Sequence, residues 1–430
     1  MRTEGWLTRA AARRPTTTAL VTGERTLTYA ELDVEATAAA RRLHGLGARA
    51  GDHVALALPA GPDFVVALWG ILRLGGVVVP IDGRLGAAER AAQAAACTVV
   101  LDAPLDGDGD EAADVPLAED QDLDEVAIVV HTSGTTSAPR AIPLTYGNWL
   151  WSALGSAAAL GHPVDERWLC TLPLSHVGGL SILVRSVIAG TTAIVRPRFD
   201  TEAVRDELLA PGGPTVVSLV PTTLARLLDA GLHAPPALRC ALLGGAPIAP
   251  VLLERAAAAG VTVVPTYGLT EACSQVATGG TPLFCTRVTL APDGEILVSG
   301  PTVSGWTRTE RPVLRTGDLG RWAADGRLEL VGRAAETIIT GGENVAPAEV
   351  EAVLEAHPAV REAGVHGVPD AEWGEAVAAA VVLRPGAQVD EAALRAHCAE
   401  RLARFKVPKA IRFVDALPRT ASGKLRRTAL

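Results

Sequence analysis

His131-Thr132-Ser133-Gly134-Thr135-Thr136-Ser137-Ala138-Pro139-Arg140 is the stretch on which the reading of this chain turns. The run before it, Val126-Ala127-Ile128-Val129-Val130, is apolar and rich in β-branched residues and predicts a buried strand. Five hydroxyl residues, one glycine and an arginine follow within the quoted segment. Hydroxyls and free backbone N–H groups in an irregular loop can wrap phosphate oxygens, and a terminal cation balances their charge. The G-x-x-x-x-G-K-[ST] phosphate loop needs a second glycine and a lysine that this stretch lacks. The residues alone leave two readings, a phosphate-binding loop or a polar turn after a strand.

Upstream, Thr28-Tyr29-Ala30-Glu31 has the form of a capping box, and helical periodicity runs from Glu31 to Leu46 before Gly47. A strand at Val54–Leu58, a helix at Pro62–Leu74, a strand at Val77–Val79, a helix at Ala87–Ala96 and a strand at Cys97–Leu101 are expected next. Such alternation predicts a parallel sheet with helices on its faces. Asp102 to Glu125 is acidic and reads as a solvated surface connection.

Downstream, a helix at Asn148–Leu160 precedes Leu169–Leu180, a strand running into a turn that holds Leu172-Pro173-Leu174-Ser175-His176. Further αβ units follow: a helix at Val204–Leu209, a strand at Thr215–Val220 and a helix at Pro221–Ala230. The strand Ala241–Leu243 ends at Gly244-Gly245, and Val261–Val264 leads into Thr266-Tyr267-Gly268-Leu269-Thr270-Glu271. Paired glycines let backbone approach a flat ligand, though they also suit an ordinary β-to-α turn. Gly294–Pro301 and Arg315-Thr316-Gly317-Asp318 come next, and Asp318 could simply cap a turn. Gly332-Arg333-Ala334-Ala335-Glu336 reads as a joint, after which a small α+β unit begins. It has a helix started by Pro347, strands near Val360 and at Val377–Leu383, and a helix at Asp390–Ala403.

The chain has 430 residues, 48% of them hydrophobic, enough for a large core and two or more domains. A formal charge of −9 argues against a nucleic-acid partner. Met1–Trp6 carries no apolar leader and no run suffices to span a bilayer, so a cytoplasmic location is expected. The six cysteines show no metal-ligand spacing. Lysine occurs only at Lys406, Lys409 and Lys424 in a chain otherwise served by arginine, which singles out the tail Pro418-Arg419-Thr420-Ala421-Ser422-Gly423-Lys424.

These motifs, in this order and over essentially the whole chain, resemble the adenylate-forming superfamily of acyl- and aryl-CoA synthetases, peptide-synthetase adenylation domains and luciferases. Thr132 to Thr136 and Pro139 match its Thr-Ser-Gly-Thr-Thr-Gly-x-Pro-Lys signature; Ser137 replaces the usual glycine and Arg140 the usual lysine. His176 stands in its Leu-Pro-x-x-His, Tyr267 to Glu271 in its Tyr-Gly-x-Thr-Glu, and Lys424 in its P-x-T-x-x-G-K-x-x-R. The resemblance implies an α/β fold: a large N-terminal domain of αβ-layered sheets plus a β-rich subdomain (1–333), and a small mobile α+β C-terminal domain (336–430), with a hinge near Ala335. The segment Gly178–Arg185, with Pro282-Leu283-Phe284 and the short length, looks like the o-succinylbenzoate–CoA ligase family of menaquinone biosynthesis. In that family an arginine at the place of Arg185 is available to a second substrate carboxylate, although a surface helix residue is an equal reading of Arg185.

The implied chemistry is attack of a carboxylate on the α-phosphorus of ATP, then displacement of AMP by a thiol. An anion must approach an anion, so the site has to supply positive charge and placement. The resemblance assigns the phosphates to Thr132, Ser133, Gly134, Thr135, Thr136 and Arg140, and the adenine to Gly244, Gly245, Tyr267 and Gly268 with Thr270 nearby. It assigns the ribose to Asp318 and Arg333 and a magnesium ion to Glu271. Lys424, Glu271 and His176 are its catalytic set, and His176, Gly179 and Arg185 its acid site. Gly341-Gly342-Glu343-Asn344 would serve the CoA step. ATP, Mg²⁺ and CoA are the expected cofactors and co-substrates; the expected partners are small molecules, with no nucleic acid, no membrane span and room for a homodimer. Two other readings stand beside this one: a free-standing adenylation enzyme that loads CoA or a carrier protein, and a non-catalytic ligand-binding relative suggested by Ser137, Arg140 and Ala335.

Overall fold

The computed structural model describes residues 1–105, 115–132, 140–340, 343–370, 373–420 and 425–430. The chain is α/β and divides into two compact units. One holds Met1–Gly244, Ala259–Arg287 and Val298–Leu314, the other Gly245–Ala258, Val288–Leu297 and Arg315–Leu430. The expected Ser133, Gly134, Thr135, Thr136, Gly341, Gly342 and Lys424 lie outside the described residues, as does Ser137.

Two sheets build the first unit. A five-stranded sheet runs Val99–Leu101, His53–Leu56, Val77–Pro80, Val126–Thr132, Arg140–Thr145, parallel except for the last strand. A nine-stranded sheet carries six parallel strands at its centre, from Val263–Leu269 through Cys240–Leu243, Val216–Leu219, Arg167–Cys170 and Thr192–Val195 to Thr18–Val21. Runs such as Cys240–Leu243 are buried at every position, as strands covered on both faces must be. The capping box at Thr28 and Glu31 starts the helix Tyr29–Gly45: Glu31 Oε2 accepts from the Thr28 backbone N–H at 2.8 Å. That helix packs on Pro62–Arg73, where Gly70 has the Ala39 methyl where its own Cβ would stand. Leu68 and Ile71 on the second helix are fully buried, each worth roughly 1.5–3 kcal/mol of transfer free energy.

In the second unit, Val313–Trp322 and Leu328–Arg333 form an antiparallel pair in a four-stranded sheet with Arg287–Leu290 and Glu295–Ser299. The C-terminal portion is a five-stranded α+β sheet with its own core, including Val350, Leu354, Val365, Val381 and Leu394. Pro347 sits in the first turn of its helix Pro347–Glu355, where its missing N–H costs nothing.

Four expectations are corrected. The turn expected to run on to Leu180 ends at His176, which is the N-cap of a helix, Val177–Ala189. This helix is apolar apart from Ser181, Arg185 and Ser186, all three buried, the pattern of a buried helix. Arg185 is therefore not a surface residue; it is 5% exposed. The expected helix Asp390–Ala403 stops at Ala399, and a strand, Ala410–Phe413, follows. The acidic connection is not wholly solvated, because Asp120–Asp122 pairs with Arg2–Glu4 and buries Gln121.

Candidate active site

At the phosphate end, Thr132 and Arg140 are paired across the antiparallel strands that flank 133–139. The Arg140 guanidinium reaches the Glu271 carboxylate, Nη2 to Oε1 2.6 Å. Glu271 stands in a short 3₁₀ turn, Thr270–Ala272, that closes the strand Val263–Leu269. Sequence reading places Tyr267-Gly268 in a loop after a shorter strand; the structure continues the strand through both. Its partner Ser274–Thr278 comes so close that a Cβ at Gly268 would stand 1.9 Å from the Ser274 carbonyl oxygen. The chain turns between them through two left-handed residues that are not glycine, Cys273 (φ 51°) and Ser274 (φ 90°). Strain of this kind is held by its surroundings and collects at functional sites.

Gly244 ends its strand against Thr266, whose carbonyl oxygen would lie 2.8 Å from an added Cβ, and Gly245 takes a positive φ of 83°. Tyr267 is half-buried on the strand that follows.

The ribose candidates come together by register. Asp318 and Arg333 are paired across antiparallel strands, and their side chains meet, Nε to Oδ1 2.9 Å. Asp318 is thus a strand residue, not a turn cap. Thr316 Oγ1 accepts from the Asp318 N–H at 3.1 Å and donates to the Ile296 carbonyl at 2.8 Å. Glu295 accepts from the Gly317 N–H at 2.9 Å and pairs with Arg315. Glu295 was not foreseen; its place at the start of a family-like strand is the signal that could have found it.

The acid-site candidates share one helix. His176 faces Asp82, Nε2 to Oδ2 3.8 Å, and Asp82 is held by a two-armed Arg84 fork at 2.9 and 2.6 Å. Burial pushes the Asp82 carboxyl up, and the Arg84 hydrogen bonds and charge outweigh this and hold it below the usual carboxylate range. Gly179 is needed for packing, since a Cβ there would stand 2.5 Å from the Pro173 carbonyl oxygen.

Arg185 lies about two and a half turns along the helix from His176. Its Nη2 donates to Ser152 Oγ at 3.1 Å, and its guanidinium carbon lies 5.7 Å from the Trp168 ring centre. It meets no carboxylate among the described residues, and its Nε is buried without a hydrogen-bond partner. Burial drives its pKa down to about 10. A guanidinium this deep without a counter-ion is costly, and a ligand carboxylate would relieve it.

Ala335 lies in an exposed 3₁₀ turn, Ala334–Glu336. Glu343 starts the strand Glu343–Val345, which includes Asn344. Among the described residues no group of three or more acidic, histidine or cysteine side chains could enclose a metal. A lone carboxylate such as Glu271 does fit magnesium carried in by a nucleotide, since Mg²⁺ commonly takes one or two carboxylates beside phosphates and water.

The AMP-binding enzyme family model matches residues 7–102 and 96–305, and the AMP-binding enzyme C-terminal domain model matches 349–424. The 2-succinylbenzoate–CoA ligase of Geobacillus kaustophilus is 40% identical over 474 residues, spanning 99% of this chain and 96% of that one. The Bacillus licheniformis enzyme of the same name is 38% identical, over 99% and 98%. Among solved structures, o-succinylbenzoate CoA synthetase from Bacillus subtilis in complex with its acyl-adenylate intermediate superposes with a TM-score of 0.91. It is 34% identical and covers 100% of this chain and 98% of its own. The same Bacillus subtilis enzyme with ATP and magnesium ion also gives 0.91. This chain belongs to the AMP-binding enzyme family.

Proposed function

We propose that the protein is an ATP-dependent acid–thiol ligase that converts o-succinylbenzoate, through its acyl-adenylate, to the CoA thioester with release of pyrophosphate and AMP. The observation that carries the substrate choice is Arg185: a buried cation with no acid partner among the described residues, on the helix capped by His176. Helical side chains lean toward the helix N-terminus, so the guanidinium reaches back toward the His176 end. A dicarboxylic aromatic acid can set one carboxylate at the reacting end and the other against Arg185.

The remaining roles follow from charge. Arg140 and the hydroxyls before it take the phosphates, Tyr267 stacks on adenine, and Asp318 with Arg333 fixes the ribose hydroxyls. Magnesium at Glu271 supplies positive charge to the phosphates. Lys424 brings a compact ammonium with three donors to the carboxylate and α-phosphate, a task for which a planar guanidinium fork is less suited. The domains are 1–333 and 336–430, turning about Ala335, and the loop 341–344 serves the CoA step. A cytoplasmic location and a homodimeric assembly complete the proposal.

Pyrophosphate release measured across a panel of carboxylic acids, with and without CoA, tests the reading. Release with o-succinylbenzoate and thioester only when CoA is added is expected. Preference for an acid with no second carboxylate, or transfer to a carrier thiol but not to CoA, would replace it.

A further inference from the structure

Arg185 does not choose its direction alone. Ser152, fully buried on the helix Tyr146–Leu160, is the one side chain that hydrogen-bonds its guanidinium among the described residues. The Ser152 hydroxyl also donates to the Cys273 carbonyl at 2.7 Å. A serine hydroxyl has one proton, so donation to Cys273 turns its lone pairs to the guanidinium. Cys273 is the left-handed residue two places after Glu271, in the turn that closes the nucleotide-side strand.

We propose that Ser152 is the positioning residue that aims Arg185 at the distal carboxylate of the acid and ties it to the turn carrying Glu271. The inference rests on the proposed function above. Without the Ser152 hydroxyl, the Cys273 carbonyl loses its donor, and the guanidinium that shared that hydroxyl is a candidate replacement. Arg185 would then swing to the main chain and spend on it the N–H groups a carboxylate needs. Trp168 keeps the guanidinium in place from one face but offers no direction within its plane; its indole N–H is already given to Ser218 Oγ at 2.9 Å.

Steady-state constants for Ser152→Ala, Ser152→Thr, Arg185→Ala and the Ser152→Ala/Arg185→Ala double variant test this. Three titrations are run on each: o-succinylbenzoate, a benzoate lacking the second carboxylate, and ATP. For Ser152→Ala the KM for o-succinylbenzoate should rise about tenfold, the scale of one hydrogen bond to a charged group, and more than the other two constants. Ser152→Thr keeps the hydroxyl and should return most of that loss. In the Arg185→Ala background the serine substitution should change the same KM by less than about twofold, because no guanidinium is left to aim. Equal loss for all three substrates, or full additivity in the double variant, overturns the inference and makes Ser152 a packing residue. If wild type shows no preference for the second carboxylate, the parent reading fails and this one with it. If wild type and Arg185→Ala behave as expected while Ser152→Ala matches wild type, only this inference fails.

Discussion

Arg185 in the first unit is buried and Arg427 in the second is half-buried, and the two are handled in opposite ways. In the first, Arg185 faces a serine, a tryptophan ring and a main-chain carbonyl two hydrogen bonds away, with no acid among the described residues. In the second, Arg427 pairs with both Glu351 and Glu336 and donates to the Val365 carbonyl at 3.1 Å. Burial lowers the Arg185 pKa to about 10. At Arg427 burial pushes the same way, but the hydrogen bonds and charges of Glu351 and Glu336 outweigh it and the pKa rises. A cation answered by two carboxylates holds a fold together. One whose donors are left open is a receptor that the fold has to support.

Removing a third cation gives the largest expected effect, and it sharpens the contrast because this one is proposed to act on the reacting atoms. Lys424→Ala should slow adenylate formation by ~10²–10³-fold, the range for one preorganised charge-stabilising donor. Thioester formation from supplied acyl-adenylate should persist. Equal loss of both half-reactions in rapid-quench assays would assign Lys424 to structure.

Arg427→Ala comes next. Truncation leaves the buried Glu351 carboxylate without its cation; with Arg427 and Glu336 only half-buried, the cost is about 1–3 kcal/mol. Urea unfolding should show the C-terminal portion destabilised by that amount. Arg185→Ala should do the reverse: little change or a gain in stability, with the KM for o-succinylbenzoate raised ~10–100-fold, from about 1.5–3 kcal/mol for a charged hydrogen-bond pair. If Arg185→Ala proves the more destabilising of the two, the comparison drawn here collapses.

The smallest effect concerns Glu355, one helical turn beyond Glu351. Its Oε1 accepts from the Ala363 N–H at 3.1 Å, yet burial raises its pKa to about 7, with the nearby Glu351 and Glu362 charges adding to the rise. A raised carboxyl pKa means that the folded state holds a proton the unfolded chain has lost. That contribution to stability is fully present below about pH 4.5 and disappears as pH rises through about 7. Glu355→Gln should flatten the fall in melting temperature between pH 6 and 8, by about 1 kcal/mol for this half-buried side chain. A slope unchanged from wild type would put the titration elsewhere.

How much of this was legible in the sequence depends on whether a signal was local. The strands Val126–Thr132 and Cys240–Leu243 announce themselves by apolar, β-branched runs, and the Thr28 capping box by its spacing. Asp318 and Arg333 were legible as motif residues, but their contact needs the register of two strands, which nothing local encodes. The start of the helix Val177–Ala189 was missed because Gly178 and Gly179 mimic a turn, while its mostly apolar character was in plain view. Ser152 and Asp82 carry no motif at all. Their roles arise from contacts across 33 residues to Arg185 and from Asp82 to His176, which only tertiary structure creates.

The Arg427 cluster can be followed in heredity as well as in energy. Glu336 and Glu351 lie 91 and 76 residues before the arginine that joins them. A lineage that loses Arg427 leaves the buried Glu351 without its cation, whereas loss of Glu336 alone leaves the Arg427–Glu351 pair standing, so single-step drift is disfavoured at Arg427 and Glu351 and easier at Glu336. Change at Arg427 and Glu351 is favoured to arrive in pairs, the acid and the base together, or through an apolar replacement of the whole set. Because Arg427 follows Lys424 by only three residues, the freedom of the tail to vary is set by two glutamates far upstream.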